Sequence, residues 1–462
     1  MILNDIHSRL NPSRPAALVE VTSTEQLRRA VTSGPEPVIV AGGRHAMGGQ
    51  QFVTGGRVLD SRGMNRVLDF DADRGLVEVE AGIQWPELVE DLLDRQQGCY
   101  EQWTIAQKQT GANHFTVGGS ISANAHGRGL GMAPIADDVE SLRLVTADGS
   151  LLECSRITHS QLFSLVLGGY GLFGAIATVT LRLTRRQKLE RVVSIATVPE
   201  LVEAIETRTA DGYRYGDFQF AIDPLSPDFL HRGVFSCYRP VELDRPIPEN
   251  QRAFTAEDWQ TMLLLAHVDK ARAYEAYADH YLATSGQLYW SDLLQLAVYL
   301  DEYHEDLDAR LPAGPRGTEM ISEVYVPRHR LTDFMAAAAE SLRRDGADPI
   351  YGTVRFIEQD RHTFLPWARQ NYACIVLNLH TEHSPAGLER SAAAFRNLID
   401  EAIVRDGSYY LTYHRWARPD QLAACYPQFG EFLAHKRRYD PTDRFVSDWF
   451  RHHVAAARQV AA

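Results

Sequence analysis

The sequence contains few cysteines and no long hydrophobic run, and each absence excludes a class of protein. Its 462 residues include five cysteines, which lie far apart and form no Cys-x-x-Cys pair. A disulfide framework, a structural zinc site and an iron–sulfur cluster all need closely spaced or paired cysteines. No apolar segment approaches the roughly 20 residues that cross a bilayer. Residues 1–10 also lack the basic and hydrophobic parts of a signal peptide. We therefore expect a reduced, cytoplasmic protein with no membrane partner.

Positive charge is also in deficit. Asp and Glu number 60 against 47 Lys and Arg, which gives a net charge of −13. A chain this acidic gains little from attraction to a phosphate backbone, so we expect no nucleic-acid partner. A single basic pocket for an anionic cofactor is still compatible with this charge, because net charge does not describe local patches.

Composition divides the chain into three zones. Residues 1–186 are rich in glycine, valine and short apolar runs. Residues 187–406 contain fewer glycines, more aromatic residues and longer helical patterns, and residues 407–462 return to a compact pattern with aromatic anchors. The mixture of short strand and helix patterns predicts an α+β protein.

Periodicity places several elements directly. Residues 38–41 predict a strand that runs into glycines, and residues 85–95 have helical spacing with a proline in the first turn. Two apolar runs flank a turn at residues 147–149, which predicts a β-hairpin. In the middle zone, helices are predicted for residues 256–284 and 331–344. Strands are predicted there for residues 323–326, 352–357 and 373–379.

Two glycine-rich segments are candidates for binding a phosphate-bearing ligand. The first loop, residues 42–50, reads GGRHAMGGQ, and the second loop, residues 116–129, reads TVGGSISANAHGRG. Glycines let the backbone approach a ligand closely, and successive N–H groups can bind phosphate oxygens, with Arg44 adding charge. Each segment alone is compatible with a tight turn that holds no ligand. Two of them are better explained by one long ligand that lies across both.

A third glycine cluster, residues 169–174, has the literal pattern G-x-G-x-x-G. A nicotinamide-binding fingerprint follows a strand and begins a helix. This cluster follows a predicted helix and precedes a predicted strand, so the order is reversed. We therefore reject a nicotinamide dehydrogenase.

Taken in order, these segments resemble the vanillyl-alcohol oxidase/PCMH family of FAD-dependent oxidoreductases. The branches that look most similar are the alditol and aldonolactone oxidases and the decaprenylphosphoryl-ribose oxidases. The resemblance rests on the first and second loops, the hairpin at residues 137–151, residues 168–183 and a C-terminal stretch at residues 426–449. The middle zone matches only weakly.

The resemblance implies an α+β fold with a two-subdomain PCMH-type FAD-binding domain and an inserted antiparallel-sheet cap domain. Residues 1–186 and 407–462 would form the FAD-binding domain, and residues 187–406 the cap or substrate domain. FAD would lie extended, with its pyrophosphate on the first two loops and its isoalloxazine facing the cap. The cofactor-binding residues implied are Gly42, Gly43, Arg44, His45, Ala46, Met47, Gly48, Gln109, Thr110, Gly118, Gly119, Ser122, Asn124, His126, Gly127, Gly129, Gly174 and Ile176.

His45 stands where relatives often link FAD covalently through a histidine. A covalent histidyl bond is therefore expected, although Ala46 replaces the serine that commonly follows in relatives. The alternative is that His45 only hydrogen-bonds the cofactor. Some relatives add a cysteine link near the second loop, but Cys99 and Cys154 both lie outside that segment, so no second link is expected.

The resemblance also points to residues for substrate oxidation. Arg355 matches the arginine of a Glu-x-Arg strand in alditol oxidases, while Thr353 stands in place of the glutamate. Positions two apart on a strand share a face, so both can point at the flavin; the alternative is that Arg355 forms a surface ion pair. Glu323 and Tyr325 form a second such pair, and either residue can hydrogen-bond a sugar hydroxyl; the alternative is a buried tyrosine whose hydroxyl is already satisfied.

A third candidate segment is the aromatic strand predicted at residues 410–416. Tyr413, His414 and Arg415 are its candidates for a proton acceptor or hydroxyl ligand, because relatives carry a lysine or a His-Trp pair near these positions. A neutral histidine suits the role of base near pH 7, and a structural histidine is the alternative. Elsewhere, His304 lies in a segment that predicts a solvated acidic helix face, and we assign no metal.

We therefore predict an FAD-dependent oxidase that converts a C–OH group of a sugar, polyol, lactone or glycosylated small molecule into a carbonyl by hydride transfer to flavin N5. O₂ or another acceptor would reoxidise the flavin. One alternative is a biosynthetic flavin oxidase that performs C–N or C–C oxidation on a specialised metabolite. Another is a flavin-binding protein without catalysis.

Overall fold

Three β-sheets organise the computed structural model, which describes residues 1–297, 303–311 and 316–460. The strands are β1 (Ala17–Glu20), β2 (Val38–Ala41), β3 (Arg57–Asp60), β4 (Val67–Asp71), β5 (Leu76–Glu80), β6 (Trp103–Ile105), β7 (Val139–Val145), β8 (Leu151–Ser155), β9 (Ala175–Arg185), β10 (Lys188–Thr197), β11 (Tyr215–Phe220), β12 (Arg232–Val241), β13 (Leu288–Trp290), β14 (Gly317–Pro327), β15 (Pro349–Ile357), β16 (Tyr372–Glu382) and β17 (Ser408–Tyr409). Sheets and helices alternate irregularly along the chain, which confirms the predicted mixed α and β content.

The α-helices of the described residues surround these sheets. They are α1 (Thr24–Thr32), α2 (Trp85–Arg95), α3 (Val117–Ala123), α4 (Ser160–Val166), α5 (Val198–Ala210), α6 (Ala256–Val268), α7 (Lys270–Ala283), α8 (Tyr303–Arg310), α9 (Leu331–Arg344), α10 (Pro385–Ile403), α11 (Pro419–Cys425), α12 (Phe429–Tyr439) and α13 (Asp448–Val460). Within the described part of the chain, none of them is both long and apolar enough to cross a bilayer.

The two smaller sheets are built from residues 17–185. Strands β1, β3 and β2 form a parallel sheet, and β4, β5, β9, β7 and β8 form a second sheet in that order, with β6 paired to β9. The predicted hairpin is present, because β7 and β8 pair antiparallel around a turn in which Gly149 has a φ of +81°. Glycine is favoured there because this backbone region strains other residues.

The largest sheet has eight strands in the order β13-β10-β12-β11-β15-β16-β14-β17, and every neighbouring pair is antiparallel. Its register pairs Glu323 with Val376 and Arg355 with Cys374. Residues paired in this way share a face. One face therefore collects Glu323, Cys374 and Arg355, while α9 and α10 pack against the other face.

The single helix predicted for residues 256–284 is wrong, because the segment forms two helices. Asp269 breaks it, with a non-helical φ of −155° and ψ of 79°. Its carboxylate accepts a hydrogen bond of 3.1 Å from the backbone N–H of Arg272 and so begins α7. Aspartate favours such an N-cap position over a helix interior, which explains the break.

The C-terminal segment returns to the N-terminal sheets. The backbone of Phe445 bridges to Val38 of β2, and both side chains are buried in one small core. The Arg444 guanidinium donates to the carbonyl oxygens of Gly34 and Glu36, each at 2.9 Å. These contacts hold the chain end beside the strand that leads into the first loop.

Candidate active site

A cavity of about 840 Å³ lies between the N-terminal loops and the face of the eight-stranded sheet that carries Glu323. This volume falls in the upper part of the range usual for ligand sites, roughly 300–1,000 Å³. The first and second loops line one side of it. Residues of β11, β14, β15 and β16 line another, and α6 and α7 border its far end.

The first loop leaves β2 and passes directly under the second loop. A Cβ atom at Gly42 would collide with the side chain of Thr116, and one at Gly43 would collide with the carbonyl oxygen of His114. Only glycine permits this close approach of two backbones. Arg44 follows with a φ of 60°, which turns the chain along the cavity wall.

The second loop is not irregular throughout, because its first half forms helix α3. Thr116 caps this helix by accepting a hydrogen bond of 3.2 Å from the N–H of Gly119. A Cβ atom at Gly118 would lie 2.8 Å from the Cβ of Ala81, so the helix packs closely on the sheet behind it. Its outer side presents small residues to the cavity.

Buried polar atoms that have no hydrogen-bond partner among the described residues face this part of the cavity. They belong to five wall residues: Arg44 Nε, His45 Nε2, Gln50 Oε1, Gln51 Oε1 and Gln109 Oε1. Buried polar groups in native proteins are nearly always hydrogen-bonded. A wall that combines small residues with such atoms therefore fits an extended, polar ligand.

Most of the predicted cofactor-binding residues line the cavity. These are Gly42, Gly43, Arg44, His45, Ala46, Met47, Gln109, Thr110, Gly118, Gly119, Ser122, His126, Gly174 and Ile176. Four others lie behind its wall: Gly48, Asn124, Gly127 and Gly129. Asn124 is 1% exposed, and its amide nitrogen donates to Asp360 at 2.8 Å, so it joins the loop to the core instead. Gly127 presents its carbonyl oxygen to Arg355.

His45 is a buried, neutral imidazole on the cavity wall. Its ring lies 4.2 Å from that of Phe115, and its Nδ1 is 2.9 Å from Nε2 of His7. Burial, and secondly the charge of His7, lower the pKa of His45 to about 3. A neutral imidazole keeps a lone pair on one nitrogen, so it is the form of histidine that can act as a nucleophile.

Glu323 is the centre of a buried polar cluster at the opposite wall. Its Oε2 lies 2.9 Å from His126 Nε2 and accepts a 2.8 Å hydrogen bond from the Tyr325 hydroxyl, while Oε1 accepts one of 2.8 Å from the Tyr413 hydroxyl. Burial disfavours the carboxylate, but His126 and the hydroxyls outweigh it and hold the pKa of Glu323 below its ordinary value. The Sγ of Cys374 lies 3.8 Å away.

The contact between His126 and Glu323 requires a proton. His126 Nδ1 lies 3.0 Å from the carbonyl oxygen of Gly127, which can only accept, so Nδ1 carries a hydrogen. A neutral His126 would then turn a lone pair toward the carboxylate. The pair is therefore held together by one proton shared between His126 Nε2 and Glu323 Oε2.

Arg355 lines the cavity beside this cluster and does not form the surface ion pair considered as an alternative. It is 9% exposed and donates to Thr110 Oγ1 at 2.7 Å and to the carbonyl oxygen of Gly127 at 3.3 Å. Within the ranges that the structure describes, no carboxylate lies within 4.0 Å of its nitrogens, and its Nε has no partner. A buried guanidinium that has no carboxylate within ion-pair distance favours an anionic or electron-rich ligand nearby.

Comparison with known proteins indicates which cofactor the chain binds. The family described as FAD binding domain matches residues 15–155. An L-gulono-1,4-lactone dehydrogenase of Mycobacterium tuberculosis is 25% identical over 448 residues, which cover 95% of each chain. The chain is an FAD-binding flavoprotein that resembles the PCMH-type FAD-linked oxidoreductases. This confirms the resemblance drawn from the glycine loops, and FAD is the cofactor.

Other relatives of this flavoprotein match over shorter stretches. An uncharacterized oxidoreductase of the fasciation locus of Rhodococcoides fascians is 34% identical over 167 residues, or 36% of this chain and 36% of that protein. An L-gulonolactone oxidase of Bos taurus is 29% identical over 197 residues, which cover 42% of this chain and 43% of that protein. The flavoprotein is thus related to both oxidases and dehydrogenases of aldonolactones.

Several predicted substrate residues of the flavoprotein lie away from the cavity. Thr353 is fully buried, and its hydroxyl donates to the carbonyl oxygen of Phe218. Tyr325 stacks on Trp367 and reaches the site only through Glu323. Arg415 donates to Asn11 at 3.0 Å. These three support neighbouring structure and do not line the cavity.

His414 is also directed away from the flavin site. The strand predicted at residues 410–416 is wrong, because β17 ends at Tyr409 and the following residues form a loop, in which Tyr413 faces the cavity. The His414 ring stacks on Phe395 with a centroid distance of 4.9 Å, and its Nε2 lies 3.1 Å from Ser322 Oγ. Burial lowers its pKa to about 3, which suits a structural, neutral histidine.

Sequence reasoning missed two features. Lys108 is fully buried, with its Nζ on the carbonyl oxygens of Gln109 and Ala112, and burial lowers its pKa to about 7. No motif surrounds it, so the sequence carries no signal for it.

The second missed feature is a buried cluster of histidines around Glu319. It contradicts the prediction that His304 lies on a solvated helix face. His304 is 5% exposed, and its Nδ1 lies 3.0 Å from Glu319 Oε2. His267 and His380 also reach Glu319. Burial disfavours the carboxylate, but the three histidines hold the pKa of Glu319 well below its ordinary value. These residues come from four separate elements, so their spacing in the sequence could not reveal the cluster.

Proposed function

We propose that this flavoprotein oxidises a CH–OH group of a sugar, polyol, lactone or glycosylated small molecule to a carbonyl. The observation that carries the proposal is the buried Glu323 carboxylate, which faces the cavity together with Tyr413 and Arg355. FAD, held along the first and second loops, supplies the hydride acceptor. The relatives that are named for lactones support the substrate class.

Glu323 is the proposed general base. The Tyr413 hydroxyl donates to Glu323 Oε1, which leaves its oxygen free to accept a hydrogen bond from a substrate hydroxyl in the cavity. As the C–H bond breaks, the hydroxyl proton passes to Tyr413 while the Tyr413 proton passes to Glu323. The pKa of Tyr413 is raised well above its ordinary value by burial and by Glu323, so the phenol stays protonated before the reaction.

Arg355 has a different proposed role. Its guanidinium points into the cavity, so it can stabilise negative charge that develops during the reaction. Arg355 takes the position of the arginine in the Glu-x-Arg pattern, and Glu323 on β14 supplies the carboxylate that Thr353 lacks. His126 then holds Glu323 in place as a positioning residue.

The far part of the cavity supports a substituted sugar as substrate. The sheet contributes Asp217, Gln219 and Asn378, which are suited to hydroxyl groups, whereas Phe254 and Trp259 beside them provide an apolar surface. A sugar or lactone with an apolar substituent would use both surfaces. We therefore expect higher kcat/KM for aryl or alkyl glycosides than for the free sugars.

We further propose that residues 1–186 and 407–462 form the FAD-binding domain, and that residues 187–406, which supply seven of the eight strands of the largest sheet, act as the cap. The C-terminal contacts of Arg444 and Phe445 with the N-terminal strand support this division. The relatives include a dehydrogenase and an oxidase, and we propose that this chain is an oxidase that uses O₂. Flavin reoxidation in air-saturated buffer, compared with that by an artificial quinone, tests this.

We propose a covalent bond between FAD and His45. Its support is the neutral imidazole on the cavity wall, with a buried Nε2 that has no protein partner. Yellow colour should remain in the acid-precipitated protein and be lost to the supernatant in His45→Ala. Release of all flavin from the wild-type pellet would contradict the bond without affecting the assignment of FAD.

The decisive experiment for the function is anaerobic flavin reduction in Glu323→Gln. A general base contributes about 10²–10⁴-fold, so the reduction rate should fall by this factor while FAD content is unchanged. Tyr413→Phe should lower the rate as well. Tyr325→Phe is the matched control, because Tyr325 donates to the same carboxylate but does not line the cavity. Its rate should stay within a few-fold of wild type.

Two results would reject the proposal. Equal rates for the Glu323→Gln variant and the wild type would exclude Glu323 as base. Absence of flavin reduction by any member of a panel of sugars, lactones and glycosides would favour the metabolite oxidase or the non-catalytic flavin protein.

A further inference from the structure

We propose that Glu319, His267, His304 and His380 form a binding site for a transition-metal cation, of which Zn²⁺ is the first candidate. The four residues belong to β14, α6, α8 and β16, and they meet at the far end of the cavity. Nothing in the proposed hydride transfer uses them. Imidazole and carboxylate ligands are the set that Zn²⁺ and its first-row neighbours prefer.

The distances among His267, Glu319 and His380 fit a common central ion, and His304 lies on the other oxygen of the same carboxylate. His267 Nε2 lies 3.1 Å from Glu319 Oε1, His304 Nδ1 lies 3.0 Å from Oε2, and His380 Nδ1 lies 3.4 Å from Oε1. The donor atoms of His267, Glu319 and His380 all fall within 4.8 Å of one another. Ligands bonded at about 2.0–2.2 Å to one tetrahedral ion lie roughly 3.3–3.5 Å apart, so small movements would seat an ion between them.

The tautomer of His267 is the strongest indication. Its Nδ1 lies 2.8 Å from the carbonyl oxygen of Leu263, which can only accept, so Nδ1 carries the hydrogen. His267 Nε2 then points at the Glu319 carboxylate, in the orientation in which both groups can bind one cation held between them. Histidines that bind metals are typically oriented in this way, with the second ring nitrogen donating to a backbone carbonyl.

Burial strengthens the argument. The side chains of Glu319 and His267 are each 4% exposed, that of His304 is 5% exposed and that of His380 is 15% exposed. Four buried ligand groups that converge without a cation would leave lone pairs opposed in a medium that screens them poorly. The Tyr303 hydroxyl also contacts Glu319 and can fix the carboxylate from outside the ligand set.

The site would be open to the cavity, because Glu319 and His304 both line it. Glu319 and Glu323 are four positions apart on β14, which is roughly 13 Å along a strand. The ion would therefore not touch the reacting carbon. It can bind an oxygen atom at the remote end of a cavity ligand, as an open fourth or fifth position permits.

The test is direct metal binding to the FAD-loaded protein. After dialysis against a chelator, titration with ZnCl₂ should give one tightly bound equivalent per chain by calorimetry and elemental analysis. X-ray absorption at the zinc edge should show nitrogen or oxygen ligands at about 2.0–2.1 Å with imidazole scattering. His267→Gln and His380→Gln should each weaken binding by at least about tenfold without changing the flavin spectrum.

His280→Gln is the matched control. His280 lines the same cavity, but its ring stacks on Phe254 at 3.6 Å, away from Glu319. Zinc affinity should be unchanged in this variant. Substoichiometric zinc in the wild type, or equal zinc affinity in the wild type and both ligand variants, would overturn the proposal and leave a protonated His–Glu cluster in its place.

Discussion

Replacement of Arg355 by methionine should lower the activity strongly while changing the stability of the fold little. The buried guanidinium has two neutral acceptors, Thr110 Oγ1 at 2.7 Å and the Gly127 carbonyl oxygen at 3.3 Å. No described carboxylate lies within 4.0 Å to offset the loss of its hydration. The folded protein therefore holds a charge that contributes little net stabilisation, in the position where the proposed reaction needs one.

The magnitudes can be worked from these contacts. Two hydrogen bonds from a charged donor stabilise by about 1.5–3 kcal/mol each, whereas removing an ion from water costs several kcal/mol. The two effects nearly cancel, and methionine fills a similar volume. We expect the free energy of unfolding of Arg355→Met to stay within about 2 kcal/mol of wild type. Its kcat/KM should fall about 10²–10³-fold, as on loss of one preorganised electrostatic donor.

Thermal unfolding and anaerobic flavin reduction measure the two quantities on the same sample. Thr353→Val is the matched control on the same strand, and it should lose up to about 1.5 kcal/mol of stability but keep its rate. Arg355→Lys should keep the charge and lose the planar fork, so its rate should lie between those of wild type and Arg355→Met. A variant Arg355→Met that is destabilised by more than about 4 kcal/mol and retains its rate would refute the reasoning.

Three further predictions concern buried charged and titratable groups. Because the pKa of His414 is lowered to about 3, the unfolded chain binds a proton that the folded chain does not between pH 6.5 and 3. Stability should thus fall with acid, and His414→Phe should make the fall shallower by up to about 1.4 kcal/mol per pH unit in urea titrations; an unchanged slope would argue against a neutral His414. Lys108 has the opposite window: with its pKa near 7, wild-type stability should rise with pH from 7 toward 10.5, and Lys108→Met should remove that rise. A rise that persists in the variant would assign it to other groups. Finally, Asp440→Asn leaves the fully buried Lys436 without the carboxylate 2.5 Å away, although Asp443 at 3.5 Å offsets part of the loss. It should cost about 3 kcal/mol by thermal unfolding, and Lys436→Met/Asp440→Asn should recover most of this; equal losses in the single and double variants would exclude the buried charge as the cause.

The parts of the fold that the sequence could predict are those fixed by local patterns. Residues 85–95 carry a helical period and a first-turn proline, and the turn at residues 147–149 carries its glycine, so both elements appear where expected. Asp269 was overlooked because an apolar pattern continues across it, while its carboxylate prefers to cap the next helix.

The sequence predicts the part of the candidate site that glycine loops form. It does not predict the part in which side chains from distant strands come together. Gly43 and Gly118 mark close backbone approaches that need no knowledge of the rest of the chain. By contrast, the positions of Thr353 and His414 depend on which neighbour takes their hydrogen bonds, and these are Phe218 and Ser322. Such pairings arise from tertiary packing between residues that are distant in the chain, and no local sequence pattern predicts them.

The register of the eight-stranded sheet has a consequence for how this protein can change. A slip of β14 by one position against β16 would rotate Glu323 to the helix-covered side and bring Val324 to the cavity. The buried carboxylate would be lost from the cavity wall together with the contacts of its neighbours. A one-residue insertion in this strand is therefore expected to abolish the site, whereas changes in the loops around the cavity leave this register intact.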